Sequence, residues 1–186
     1  AAIGLLVLFE STTSAAVIWD TPRNYPNAVN TIGVAVGNFD QDGNIDAASS
    51  LETGLNAGIM RGSGAGTFQL GSTPLNTIAL TGTGNCSYDV VAGDWNNDGR
   101  NDVAVSCGGV GAATNQFRAR LLDGEGLVVG AAALGGAGTS PRAIVTADFN
   151  RDGSADLAVA NAAAATSNVS VTLGAGNGTF AAATTV

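Results

Sequence analysis

DFNRDGSAD, running from Asp148 to Asp156, is preceded by two near copies of itself, NFDQDGNID from Asn38 to Asp46 and DWNNDGRND from Asp94 to Asp102. Each copy places oxygen-bearing side chains at its first, third, fifth and ninth positions. A glycine, Gly43, Gly99 or Gly153, stands sixth, where the chain must turn back sharply. Asp, Asn and Gly are the common residues of any tight turn, but recurrence of one spacing three times asks for a common purpose. Hard divalent cations supply one, because calcium takes roughly 6 to 8 oxygen ligands from carboxylates, amides, backbone carbonyls and water. The candidate ligands are Asn38, Asp40, Asp42 and Asp46 in the first loop, Asp94, Asn96, Asp98 and Asp102 in the second, and Asp148, Asn150, Asp152 and Asp156 in the third. The seventh-position backbone carbonyls of Asn44, Arg100 and Ser154 would complete the three sets. Magnesium dehydrates reluctantly and seldom uses a dedicated protein cage, so the expectation is about three calcium ions, one per loop.

Charge supports that expectation. The chain carries 15 acidic residues against seven basic ones, a formal charge of −8. Nine of the 15 carboxylates fall inside the loops, three in each. Clustered like charges repel unless neutralised, and three divalent ions would bring the charge to −2. The acidity is therefore read as site charge and not as a signal for a basic partner. Lysine is absent and the arginines are scattered, so the basic footprint of a nucleic-acid binder is missing. No apolar run reaches the roughly 18 to 20 residues of a membrane span.

The flanks of the loops exclude a helix–loop–helix calcium site. An EF-hand closes with a bidentate Glu at position 12, whereas Ser49, Val105 and Val159 occupy that place here. IGVAV, YDVVAG and AIVTA before the loops, and DVAVS and DLAVA after two of them, are short, Val- and Ala-rich and read as strands.

A strand, a loop closing at its ninth residue and a second strand resemble the FG-GAP repeat, also called the VCBS repeat, of calcium-binding β-propellers. DFNRDGSADLAVAN, Asp148 to Asn161, is similar to that family's D-F-N-x-D-G-x-x-D-L-A-V pattern. The family's second hairpin, with a turn ending in Gly-Thr-Phe, resembles AGIMRGSGAGTFQL from Ala57 and VSVTLGAGNGTFAA from Val169; RARLLDGEGLVV from Arg118 keeps the layout with Leu127 in place of Phe. The first loop exchanges Asp and Asn between positions one and three, and the middle loop has Asn101 where an apolar residue is usual.

The resemblance implies an all-β, propeller-like array of four-stranded antiparallel blades. The expected units are 31–80, 81–137 and 138–186, with 1–30 as an N-terminal half-blade built from IGLLVLF and AAVIW. Phe39, Trp95 and Phe149, second in each loop, are expected to anchor packing between blades. Three and a half units are few for a ring of about four to eight blades. Three explanations stay open: the chain is a piece of a longer one, it completes a ring with another copy, or it stacks openly in a polymer. Open arrays leave apolar faces and sheet edges that invite association, so self-assembly into a homo-oligomer or polymer is expected, with Ala2 to Phe9 either a contact strand or an ordinary core strand.

Cys86 and Cys107 flank the middle calcium hairpin. They are read either as a disulfide closing a loop of about 20 residues, which would contribute roughly 3 kcal/mol, or as buried thiols. A disulfide and modest-affinity calcium sites both point to an extracellular or cell-surface location. Family members serve in adhesion, in glycan or protein binding and as structural modules. Histidine is absent, and the carboxylates outside the loops, Glu10, Asp20, Glu52, Asp89, Asp123 and Glu125, show no catalytic pairing. The expected role is non-catalytic: a structural, self-assembling or adhesive surface subunit, or alternatively a carbohydrate- or protein-binding module.

Overall fold

A computed structural model describes residues 31–51, 56–69, 77–79, 88–108, 116–123, 128–162 and 167–186. The expected half-blade 1–30, with its contact strand, lies outside the described residues, as does Cys86. Twelve strands are found and, among the described residues, no helix. They are β1 (Thr31–Gly37), β2 (Asp46–Leu51), β3 (Asn56–Met60), β4 (Thr77–Ala79), β5 (Val90–Gly93), β6 (Asp102–Cys107), β7 (Gln116–Leu122), β8 (Val128–Gly136), β9 (Pro141–Ala147), β10 (Asp156–Asn161), β11 (Asn168–Thr172) and β12 (Thr184–Thr185).

The strands form three antiparallel sheets of four, ordered β1-β2-β3-β4, β5-β6-β7-β8 and β9-β10-β11-β12. Each Asp-rich loop joins the first two strands of its sheet. Its ninth residue begins the second strand: Gly37 pairs with Asp46, Gly93 with Asp102 and Ala147 with Asp156. The Gly-Thr-Phe turns also recur, with Gly62 bridging to Phe68 and Gly174 to Phe180.

Period-2 alternation decides the packing, because successive side chains leave opposite faces of a strand. On β6, Val103, Val105 and Cys107 point to the first sheet, where they meet Phe39, Ala48, Ala57 and Ile59. Ala104 points the other way, into a second cluster with Trp95, Phe117, Ile144, Leu157 and Val159. The middle sheet is thus packed on both faces, and every residue of β6 is buried. Phe180 closes the second cluster by an edge-on contact with Phe117, ring centroids 5.1 Å apart.

Polar groups tie the same interfaces. Asp89 Oδ2 accepts a hydrogen bond from Ile144 N at 3.1 Å, linking the middle and last sheets. Ser106 Oγ donates to Arg142 O at 3.2 Å across that junction. Between the first two sheets, Asn101 Oδ1 accepts Asn38 N at 3.0 Å. The polar residue that breaks the repeat pattern at Asn101 is therefore a bridge between successive loops. A Cβ on Gly37 would approach Asn101 Oδ1 to 2.8 Å, so only glycine leaves room for this bridge.

Candidate metal centre

The three loops share one backbone shape. Gly43, Gly99 and Gly153 have φ of 86°, 82° and 88°, in the left-handed region where glycine carries no steric cost. The fourth residues, Gln41, Asn97 and Arg151, also adopt positive φ, at 61°, 57° and 63°. This conformation is uncommon for residues with a Cβ, and its repetition marks a loop held by specific bonds.

The ninth-position aspartates supply many of them. Asp46 is fully buried and accepts Phe39 N at 2.8 Å and Gly62 N at 2.7 Å. Asp102 accepts Trp95 N at 3.2 Å and Leu122 N at 2.9 Å, and Asp156 accepts Phe149 N at 2.9 Å and Gly174 N at 2.8 Å. Each carboxylate clamps the loop's entry to the third strand of its sheet. The strand register also puts Leu122 in the place of Gly62 and Gly174, a substitution hidden in sequence by the nearby Gly124.

Burial raises the pKa of Asp46 above its ordinary value. It lifts Asp102 to about 6, with the charges of Asp98 and Asp94 adding to the effect. A bound cation would reverse both shifts by favouring the ionised form.

The loops differ in how their candidate ligands are engaged. In the first, one oxygen from each of Asp40, Asp42 and Asp46 lies within 4.8 Å of the others. On the same loop, Asn38 Oδ1 is buried and accepts no hydrogen bond from the protein, an arrangement that costs free energy unless another group satisfies it. The donor set is all oxygen, as hard cations require. Arg61 Nε sits 3.3 Å from Asp40 Oδ2 and supplies one positive charge at the rim.

In the second and third loops the opening carboxylate is turned onto the loop's own backbone. Asp94 accepts Asp98 N at 3.1 Å and Gly99 N at 2.8 Å; Asp148 accepts Asp152 N at 3.1 Å and Gly153 N at 2.9 Å. The third- and fifth-position side chains face each other, Asn96 with Asp98 at 2.9 Å and Asn150 with Asp152 at 2.7 Å. Bonds from Arg100 N to Asp98 at 3.0 Å and Ser154 N to Asp152 at 2.8 Å leave the seventh-residue carbonyls as the remaining candidate ligands. Position three is Asn in both of these loops, so neither has an all-Asp counterpart of the Asp40, Asp42 and Asp46 triad. The carboxylate at position one accepts the amides of positions five and six, whereas Asn38 Oδ1 accepts no hydrogen bond from the protein.

Two family comparisons match this chain. The FG-GAP-like repeat matches residues 38–105 and the FG-GAP repeat matches residues 140–179. The chain belongs to the FG-GAP repeat family. FG-GAP repeats commonly bind calcium, are generally structural or adhesive rather than enzymatic, and are typical of extracellular or surface proteins. Comparison with curated proteins finds no match. Among the described residues no helix is long and apolar enough to cross a membrane.

Other residues weighed from the sequence have structural partners. Asp89 is engaged at the sheet junction. Tyr88 lies under Arg142, whose guanidinium carbon is 4.2 Å from the ring centroid. Trp19 and Tyr25, which with Tyr88 and Arg61 are the residues a carbohydrate-binding reading would call on, are outside the described residues. Phe39 and Trp95 are buried at 0% and 1% exposure, as expected of interblade anchors, but Phe149 is 47% exposed. Phe39 and Trp95 each pack beneath a following sheet, and among the described residues none follows the third.

Proposed function

We propose that the chain is a non-catalytic, calcium-stabilised extracellular FG-GAP repeat module that serves as a structural, self-assembling or adhesive surface subunit. The observation that carries this reading is the first loop, where three carboxylate oxygens converge and the loop's opening residue, Asn38, has a buried amide oxygen with no hydrogen-bond partner. Calcium there would be held by Asn38, Asp40, Asp42, Asp46 and the Asn44 carbonyl. The corresponding sets are Asp94, Asn96, Asp98, Asp102 and the Arg100 carbonyl, and Asp148, Asn150, Asp152, Asp156 and the Ser154 carbonyl.

When bound, the ion supplies charge neutralisation and a rigid crosslink. The chain's residues then fix the consequence, since each ninth aspartate also clamps the first strand to the third. Ordering the loop orders its sheet. In this reading each unit, 31–80, 81–137 and 138–186, is one blade, and 1–30 contributes a further half-unit. Cys107 is fully buried, and a bond to Cys86 would secure the exit of β6 in an oxidising compartment.

Thermal unfolding in millimolar calcium, in EGTA and in millimolar magnesium tests the staple. Calcium should raise the melting temperature well above the EGTA value and magnesium should restore little of it. A melting curve indifferent to EGTA would overturn the proposal.

A further inference from the structure

The two outer faces of the array are unlike the rest of its surface. Of the nine large apolar residues found exposed among the described residues, Ile32, Val34 and Val36 lie on β1, and Val145, Phe149, Val169 and Leu173 lie on or beside the third sheet. None belongs to the middle sheet. The reason is visible in the repeat itself. Val34 occupies the position of Val90 and Ile144, which are 4% and 3% exposed because a preceding sheet covers them. Val145 occupies the position of Ala35 and Val91, which pack against a following sheet. Phe149 likewise stands where Phe39 and Trp95 are buried.

The first sheet therefore presents a face of the kind that, in the other two, accepts a neighbour. The third presents a face of the kind that, in the other two, covers one. The same contact already occurs twice within the chain, and at opposite ends its β1 side and its β9 and β11 side remain exposed, while Ala47 and Ser49 opposite Val36 and Val34 are buried.

We propose that these faces join between copies: the Val145, Phe149 and Val169 face of one chain stacks on the Ile32, Val34 and Val36 face of a second, continuing the sheet-on-sheet series across the boundary. This deepens the self-assembly part of the proposed function and names its surfaces. Because the two patches differ, the contact is head-to-tail. Such a contact closes into a ring if its rotation permits, or propagates as a filament if it does not.

The test uses the full chain in calcium, with two blocked variants. V34E/V36E blocks the leading face and V145E/V169E the trailing face; all four side chains are exposed in the single chain, so each variant should melt close to the parent at high dilution. Sedimentation velocity at about 100 µM should give dimers or longer species for the parent and monomers for either variant alone. An equimolar mixture of the two should give dimers only, because one intact leading face meets one intact trailing face.

Hydroxyl-radical labelling of Phe149 in the unsubstituted chain provides a readout that does not depend on the variants folding. Its modification should be fast at high dilution and fall at least fivefold at 100 µM. Monomeric parent at 100 µM, a mixture that fails to dimerise, or Phe149 protected even at high dilution, as a covering segment of the same chain such as residues 1–30 would cause, would each overturn the proposal. Any of these results could coexist with a calcium-dependent melting temperature, so failure of the contact is distinguishable from failure of the calcium staple.

Discussion

Replacing Asn150 with alanine separates a metal ligand from an ordinary loop residue. Asn150 is exposed; its Oδ1 accepts Asp152 N at 3.0 Å and its Nδ2 donates to Asp152 at 2.7 Å. If these two bonds were its whole contribution, their loss would cost about 1 kcal/mol, since solvent-exposed bonds lie at the low end of the usual net range. That cost would be the same with or without calcium. A ligand behaves differently. An ion present at about 100 times its Kd stabilises the folded chain by about 2.7 kcal/mol, and weakening the site about a hundredfold would remove about 2.3 kcal/mol of that. For a chain of this size the extra loss lowers the melting temperature by roughly 5 to 9 °C. Differential scanning calorimetry of parent and N150A, each in calcium and in EGTA, closes the cycle. The expected result is a small shift in EGTA and a shift larger by this amount in calcium. Equal shifts in the two buffers would refute Asn150 as a ligand.

Four further outcomes follow from the geometry. Trp95→Ala should destabilise the chain by about 3 to 5 kcal/mol in urea unfolding, as for other buried aromatics, whereas Phe149→Ala in dilute monomer should cost less than about 1 kcal/mol because that ring is half exposed. Arg61→Ala should tighten the first site: a guanidinium about 5 Å from a divalent ion opposes it by roughly 1 kcal/mol in screened water, about fivefold in affinity by calorimetric titration. In EGTA the chain should become more stable, by about 1 kcal/mol, as pH falls from about 7 to 5. The sign follows from Asp102, whose folded pKa of about 6 lies above its ordinary 3.8, so the folded state binds the proton more tightly over that window. In calcium, acid should act in the opposite direction, because protonated carboxylates release the metal. Thiol titration of the denatured, unreduced chain should find no free thiol if Cys86 and Cys107 are paired, and two if they are not.

Much of the fold was legible because its signals are local. The loop spacing and the Val- and Ala-rich alternation sit within a few residues and recur in all three sheets, and the Gly-Thr-Phe turns recur in the first and third. What the sequence concealed depends on neighbours distant in the chain. Asn101 looks like a defect until Asn38 is found donating to it, and Asp89 looks like a spare carboxylate until Ile144 N is placed against it. Arg118 and Arg120, read as part of a scattered positive charge, are buried on β7 at 2% and 5% exposure, where burial lowers both pKa values. Phe149 carries the same local signal as Phe39 and Trp95 but a different environment, because exposure is set by the sheet that follows and not by the loop. The candidate ligands lie on three loops of one shape. How their position-one oxygens are engaged, Asp94 and Asp148 by their own loop backbones and Asn38 by no protein donor, required the hydrogen bonds to be seen.

Native mass spectrometry of the folded chain in calcium-containing volatile buffer tests the central claim most directly. Three calcium ions should remain bound to each chain at saturation, and alanine substitution of Asp40, Asp98 or Asp152 should each remove one. A chain that carries no calcium at millimolar concentrations, or whose count is unchanged by those substitutions, would contradict the account.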